Sequence, residues 1–175
     1  MRALVVYESM FGNTQAVASA VARGLSGRMA VDLVEVSDAP TNVDADLVVA
    51  GGPTHAFSMS RPSTRQSAAE QAVGRIVSPG RGLREWLAQA GPGLRGTRTA
   101  TFDTKITKGY LPGSAARSAE KRLRRSGSRI ASPAHSFTVV GTAGPLAEGE
   151  LARAERWGAE LSALCAGTAE PTVQG

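Results

Sequence analysis

Ala3-Leu4-Val5-Val6-Tyr7-Glu8-Ser9-Met10-Phe11-Gly12-Asn13-Thr14 decides the fold, together with Val17, Ala18, Val21, Ala22 and Leu25 behind it. The first five residues form a continuous apolar run, as a strand buried on both faces of a parallel sheet requires. The second group recurs at helical spacing and marks one apolar helix face. Between them lies a polar turn that opens a helix. A helix N-terminus carries free backbone N–H groups and the positive end of the helix dipole, so such a turn suits a phosphate. Ser9, Asn13 and Thr14 add side-chain donors, and Gly12 lets the backbone approach without a Cβ clash. The same residues also fit an ordinary strand-to-helix turn capped by Thr14 or Asn13. Neither G-x-G-x-x-G nor G-x-x-x-x-G-K-[ST] occupies this turn.

The pattern repeats along the chain. Val31–Val36 reads as a second strand and Asp46–Ala50 as a third, stopped abruptly by Gly51-Gly52-Pro53. Arg98–Asp103 reads as a fourth and Ser136–Gly141 as a fifth. Leu83, Trp86, Leu87 and Ala90 mark a short helix stopped by Gly91-Pro92. Ser114 is the expected N-cap of a helix with Ala115, Ala119 and Leu123 inside, Gly127 past its end, and Arg117, Lys121, Arg124 and Arg125 outside. The last helix is expected from about Glu148, with Leu151, Ala154, Trp157, Leu161 and Leu164 on its apolar face. Residues 58–82 are the least regular stretch and read as a long excursion with one helical turn around 68–77. Alternating strands and helices imply an α/β domain over 1–167, with a parallel sheet and helices on both faces. Residues 168–175 read as a flexible tail.

The 175 residues suffice for one sizeable core. No apolar run approaches a membrane-spanning length and no signal peptide is recognisable, so the expected location is the cytoplasm with no membrane span. Cys165 is the only cysteine, which excludes an intrachain disulfide, and its apolar setting suits a small buried hydrophobe. His55 and His135 have no ligand-spaced partners, so no metal site is expected. The net charge is +5, with an acidic excess in residues 1–60 and most of the arginines in 61–129. Such a face attracts acidic partners or anionic substrates. Few aromatics interleave with the arginines, so no nucleic acid is expected.

At the phosphate turn the chain resembles the flavodoxin family, whose loop runs roughly [ST]-x-T-G-x-T. Ser9, Gly12 and Thr14 match, while Phe11 replaces a hydroxyl residue. The variant Tyr7-x-Ser9-Met10-Phe11-Gly12-Asn13-Thr14 is similar to the loop of flavodoxin domains within larger flavoproteins. The resemblance implies a doubly wound five-stranded parallel sheet of order 2-1-3-4-5, with FMN in the crevice beyond strands one and three. Ser9, Met10, Phe11, Gly12, Asn13 and Thr14 then hold the phosphate. The loop after strand three, with Pro53, Thr54, His55, Ala56 and Phe57, meets the flavin ring, and Phe57 or His55 stacks on it unless Phe57 anchors the loop instead. The loop after strand four supplies Asp103, Thr104 and Lys105 to the pyrimidine edge, with Tyr110 over the outer face or packed on its own turn. Lys105 places a positive charge there, which favours the anionic reduced ring.

The function so implied is electron transfer through the flavin, with a redox partner protein of acidic character or a small-molecule electron acceptor. No residue stands out as an obligatory acid, base or nucleophile. One alternative is an oxidoreductase acting on a quinone or porphyrinogen, with Arg61 and Arg65 shaping its pocket. The other is a non-redox module that has lost the flavin.

Overall fold

A computed structural model describes residues 1–72, 74–106 and 113–167. Its strands are β1 (Arg2–Tyr7), β2 (Ala30–Glu35), β3 (Leu47–His55), β4 (Ser58–Met59), β5 (Arg98–Ile106), β6 (Arg129–Ile130) and β7 (His135–Val139). Its helices are α1 (Asn13–Ser26), α2 (Pro62–Gln71), α3 (Leu83–Ala90), α4 (Ala115–Arg125) and α5 (Glu150–Ala166). The sheet runs β2-β1-β3-β5, and the far side of β5 pairs first with β6 and then with β7. All these pairings are parallel; β4 alone is antiparallel, folded back on the end of β3. Counting β6 and β7 as one interrupted strand gives the expected order 2-1-3-4-5. The break holds Pro133, which has no N–H to continue a ladder.

Each face of the sheet has its own core. Val5, Val49 and Phe102 meet Val17, Val21 and Leu25 of α1 and Trp157 and Leu161 of α5. Val6, Val48 and Ala50 meet Leu83, Trp86 and Leu87 of α3 and Ala119 and Leu123 of α4. Each large side chain buried in this way contributes roughly 1.5–3 kcal/mol relative to exposure. Helices α1 and α5 approach closely through two glycines. A Cβ on Gly24 would lie 2.0 Å from the Glu155 carbonyl oxygen, and one on Gly158 would lie 2.3 Å from that of Val21.

The structure corrects several expectations. Strand β3 does not stop at Gly51-Gly52-Pro53 but runs to His55. Strand β1 flanks it only as far as Gly51, while the β5 pairing continues through Pro53, so a residue lacking an N–H is tolerated there. Strand β5 likewise runs on to Ile106, so Thr104 and Lys105 lie in a strand and not in a loop. The excursion contains ten helical residues in α2, with Pro62 in the first turn and no buried side chain. That helix has no apolar stripe, which is why periodicity did not reveal it. In α5, Leu151 and Leu164 are exposed. The buried face is instead Ala154, Trp157, Gly158, Leu161, Ser162 and Cys165, because close packing on α1 selects small residues. The expected tail 168–175 lies outside the described residues.

Strands β3 and β4 are joined by a two-residue turn, Ala56-Phe57, with φ of 44° and 71°. Two successive positive φ values are the signature of a type I′ hairpin turn, which suits Asn-Gly. An ordinary L-residue pays roughly 1–2 kcal/mol for the left-handed region. Replacing Ala56→Asn together with Phe57→Gly should therefore raise the unfolding free energy by about 1 kcal/mol, as read by urea denaturation; an unchanged or lower midpoint would show that the turn is not strained.

Candidate functional site

At the carboxyl ends of β1, β3 and β5 lies a cavity of about 290 Å³. It is the crevice beside the strands where the connections diverge to opposite faces, the usual ligand position in such sheets. Its floor is the turn between β1 and α1. Ser9 is fully buried there and clamped to Ser78 by two bonds: the Ser9 N–H donates to Ser78 Oγ (2.9 Å) and the Ser78 N–H to the Ser9 carbonyl (2.9 Å). Ser9 Oγ accepts the Gly12 N–H at 3.0 Å. Gly12 is the N-cap of α1, with φ 90°, and no side chain caps the helix. Neither Thr14 nor Asn13 acts as an ordinary cap. Among the described residues, the N–H groups of Asn13, Thr14 and Gln15 have no protein acceptor. Three convergent free donors at a helix N-terminus form an anion cradle.

Asn13 Nδ2 donates to the Ala143 carbonyl (3.1 Å), and Thr14 Oγ1 lies 2.8 Å from Thr104 Oγ1. These bonds bring the loop after β7 and the end of β5 against the cradle. Of the residues expected at the site, Ser9, Met10, Phe11, Asn13, Thr14, Pro53, Thr54, His55, Ala56, Thr104 and Lys105 line the cavity. Gly12 shapes it through the backbone. Phe57 is not a lining residue; it stands 53% exposed at the hairpin tip.

Asp103 also turns away. It is fully buried, and its Oδ2 accepts from Thr54 Oγ1 (2.9 Å), the Ala116 N–H (3.0 Å) and the Ser114 hydroxyl. It therefore anchors the start of α4, where a carboxylate is favoured by the helix dipole. Tyr110 lies outside the described residues. The G-x-G-x-x-G spelled by Gly91-Pro92-Gly93-Leu94-Arg95-Gly96 is no dinucleotide fingerprint. Its first four residues form a 3-10 turn after α3, a helix-to-strand connection and not a strand-to-helix one.

Sequence reading missed the outer wall. Thr64, Ser67, Ala68 and Gln71 of α2 face the cavity, with Ile106, Val139 and Thr142 completing it. It also missed Glu8, which is 1% exposed directly under the cradle. Glu8 Oε1 accepts from the Ser60 hydroxyl, and Oε2 accepts the Leu83 N–H at 2.7 Å. Ser60 Oγ in turn accepts from Arg65 Nη1 (2.9 Å), which also pairs with Glu85 (3.2 Å). Burial pushes the Glu8 carboxyl above its ordinary pKa, and Glu85 adds to this, while Ser60, Leu83 and Arg65 oppose it. An acidic residue wedged between the end of an apolar strand and the cradle was the available signal. Glu8→Ala would leave Ser60 and Leu83 without their acceptor, and should cost about 2–4 kcal/mol of unfolding free energy by urea denaturation; Glu8→Gln, which keeps one acceptor oxygen, should cost less. Equal losses would mean that the bonds do not matter.

Among the described residues, Lys105 is the only charged side chain lining the cavity, and no carboxylate lines it. Burial lowers the pKa of His55, and the Arg65 charge lowers it further against the Thr64 backbone. Burial lowers that of His135 too, and Arg153, whose Nη1 lies 2.6 Å from its Nε2, adds to the effect. Both histidines are neutral near pH 7. Their folded pKa values lie below the ordinary 6.5, so the unfolded chain binds more protons below that pH. Their contribution to stability is complete above pH 6.5 and is lost as pH falls through the folded values. Proton NMR should show both rings titrating below 6.5; a midpoint at or above it for either ring would contradict this environment.

An open parallel sheet with helices on both faces and unpaired helix N–H groups at its switch point defines an α/β protein of the doubly wound class. A family profile described as Flavodoxin matches residues 5–157, and the chain belongs to that family. Among solved structures it is similar to a flavodoxin from the domain Archaea, at 21% identity and TM-score 0.69, covering 95% of this chain and 99% of that one. It is similar to Flavodoxin 2 from Bacillus cereus at 17% identity and TM-score 0.68, covering 93% and 99%. It also matches the flavodiiron protein from Giardia intestinalis at 18% identity and TM-score 0.64, covering 95% of this chain and 36% of that one. No curated protein matches the chain. No helix among the described residues is long and apolar enough to cross a membrane.

Proposed function

We propose that this chain binds one FMN in the cavity and transfers electrons through it to a redox partner. The observation that carries the reading is the junction of three unpaired helix N–H groups with a pocket that no carboxylate lines among the described residues. The N–H groups of Asn13, Thr14 and Gln15 supply donors for a phosphate, and the space continues between the β3–β4 hairpin and the end of β5. Lys105 adds a positive charge at the β5 side, and among the described residues no acidic side chain lines the cavity to oppose an anionic ligand. When bound, FMN supplies the one- and two-electron chemistry, while the protein supplies orientation and electrostatics. Met10, Phe11, Pro53, Ile106 and Val139 offer apolar surface for a flat ring, and Ser9, Thr14, Thr54 and Thr104 offer hydroxyls at its edges. The neutral His55 adds a ring nitrogen without adding charge.

A second reading, an FMN-dependent oxidoreductase acting on a small acceptor such as a quinone, draws on α2. Thr64, Ser67 and Gln71 wall the cavity with polar groups. A walled site suits a small molecule that enters beside the ring better than contact across an open edge. Steady turnover with a nicotinamide reductant and a quinone would favour this reading over the carrier.

Flavin fluorescence quenching tests the cofactor. FMN should titrate with one site, and mass spectrometry of the extracted cofactor should return FMN. Thr14→Ala removes a hydroxyl next to the cradle, and should weaken binding about ten- to a hundredfold while leaving the domain folded. Recovery of FAD at full occupancy, or the absence of quenching, would refute the reading.

A further inference from the structure

The Ala56-Phe57 turn keeps two L-residues where Asn-Gly would sit without strain. Strain retained in this way collects at binding sites. What this turn achieves is to hold a phenyl ring half in solvent, directly beside the cavity-lining His55 and Ala56. A lone exposed aromatic is unremarkable, but this one is set among arginines. Arg84 grips the hairpin, with Nη2 donating to the Met59 carbonyl (2.8 Å) and Ser58 Oγ (3.2 Å), and Nε donating to the Ser60 carbonyl (3.1 Å). Arg61 and Arg122 lie close enough to Arg84 to disfavour its charge, adding to the effect of its burial. Ser58 Oγ donates to Ser118 Oγ at 2.9 Å, which seats the hairpin on α4 between the exposed Arg117 and the half-buried Arg122. The nearby carboxylates are already engaged: Glu85 with Arg65, Glu8 inside the protein with Ser60 and Leu83, and Glu120 with Arg124 and the Ala134 N–H. Glu85 and Glu8 favour the Arg84 charge at a distance, but among the described residues no carboxylate forms an ion pair with Arg61, Arg84, Arg117 or Arg122.

We infer that Phe57, with Arg61, Arg84, Arg117 and Arg122 around it, is the docking surface for an acidic redox protein. The inference rests on the electron-transfer reading, because the surface borders the mouth of the proposed flavin cavity. An aromatic knob with a guanidinium rim is the composition that dominates protein interfaces. A concentrated positive rim speeds encounter with a negative partner and aligns it. The partner surface must then carry carboxylates around an apolar recess that admits the ring.

The probe is an acidic plant-type ferredoxin, titrated at low salt against the full chain with and without FMN. A short DNA duplex and vesicles of phosphatidylserine and phosphatidylcholine serve as rival anions. The ferredoxin should bind, and Arg61→Glu with Arg117→Glu should weaken that binding about tenfold or more. FMN affinity should stay unchanged, because neither arginine lines the cavity. Phe57→Gly should also weaken ferredoxin binding, without lowering the melting temperature. The inference is overturned if the ferredoxin does not bind, if its affinity is indifferent to both changes, or if DNA or vesicles bind more tightly. FMN quenching is read on the same samples. A chain that binds the ferredoxin by these residues but takes up no flavin would remove the cofactor reading and leave the docking surface in place.

Discussion

The site depends on three backbone N–H groups at the start of α1 that the protein leaves unpaired. A helix end must satisfy such groups with caps, water or a ligand. Here the natural capping position holds Gly12, which has no side chain to offer. Ser9, whose hydroxyl might have turned toward the helix, accepts the Gly12 N–H instead. Thr14 and Asn13 direct their side chains sideways, to Thr104 and Ala143. Ser9 is thus occupied within its own turn and Asn13 and Thr14 with other segments, and the donors stay free while the chain around them is fixed. The same bonds that empty the cradle assemble its walls.

Holding that arrangement requires a support beneath it, and Glu8 supplies one. It follows the last residue of β1 and precedes the first residue of the cradle, and its two carboxyl oxygens hold Ser60 and the start of α3. Through Ser60 and Arg65 the network reaches α2, whose inner face walls the cavity. A buried carboxyl is costly unless every lone pair is used, so its position is sharply specified. The excursion between β3 and α3 is consequently anchored at both ends: Ser60 under the cradle at one, and Ser78 against Ser9 at the other. Helix α2 between them buries no side chain of its own and is held by its ends.

These two layers explain what could be read in the sequence. Strands β1 and β3 announce themselves because burial on both faces demands continuous apolar runs, and the cradle follows from what lies between β1 and α1. The N-cap of α4 was legible in Ser114, whose hydroxyl accepts the Arg117 N–H at 3.1 Å. Local signals failed where tertiary pairing overrides them. Gly51-Gly52-Pro53 looks like a stop, yet the β5 ladder carries β3 through it. Asp103 looks like a loop residue facing a ligand, yet the dipole of α4 draws it inward. Helix α2 has no apolar period to detect, and Glu8 has partners 52 and 75 residues away in sequence.

Charge is sorted on the same principle. Among the described residues the cavity admits one lysine and no carboxylate, and burial and Arg65 both disfavour the charged form of its histidine. Arginines that would compete for an anionic ligand inside are spent elsewhere. Arg65 ties Ser60 to Glu85, and Arg84 binds three successive residues of the hairpin segment through its guanidinium. Carboxylates follow the opposite rule: Glu8 and Asp103 are buried away from the cavity lining, Glu8 accepting hydrogen bonds through both oxygens and Asp103 through Oδ2. A pocket walled in this way selects by the donors at its cradle, while the positive field lies on the rim outside. Under the proposed function, affinity for a phosphate-bearing ligand and attraction of a macromolecular partner would be set by different residues, and either could change without disturbing the other.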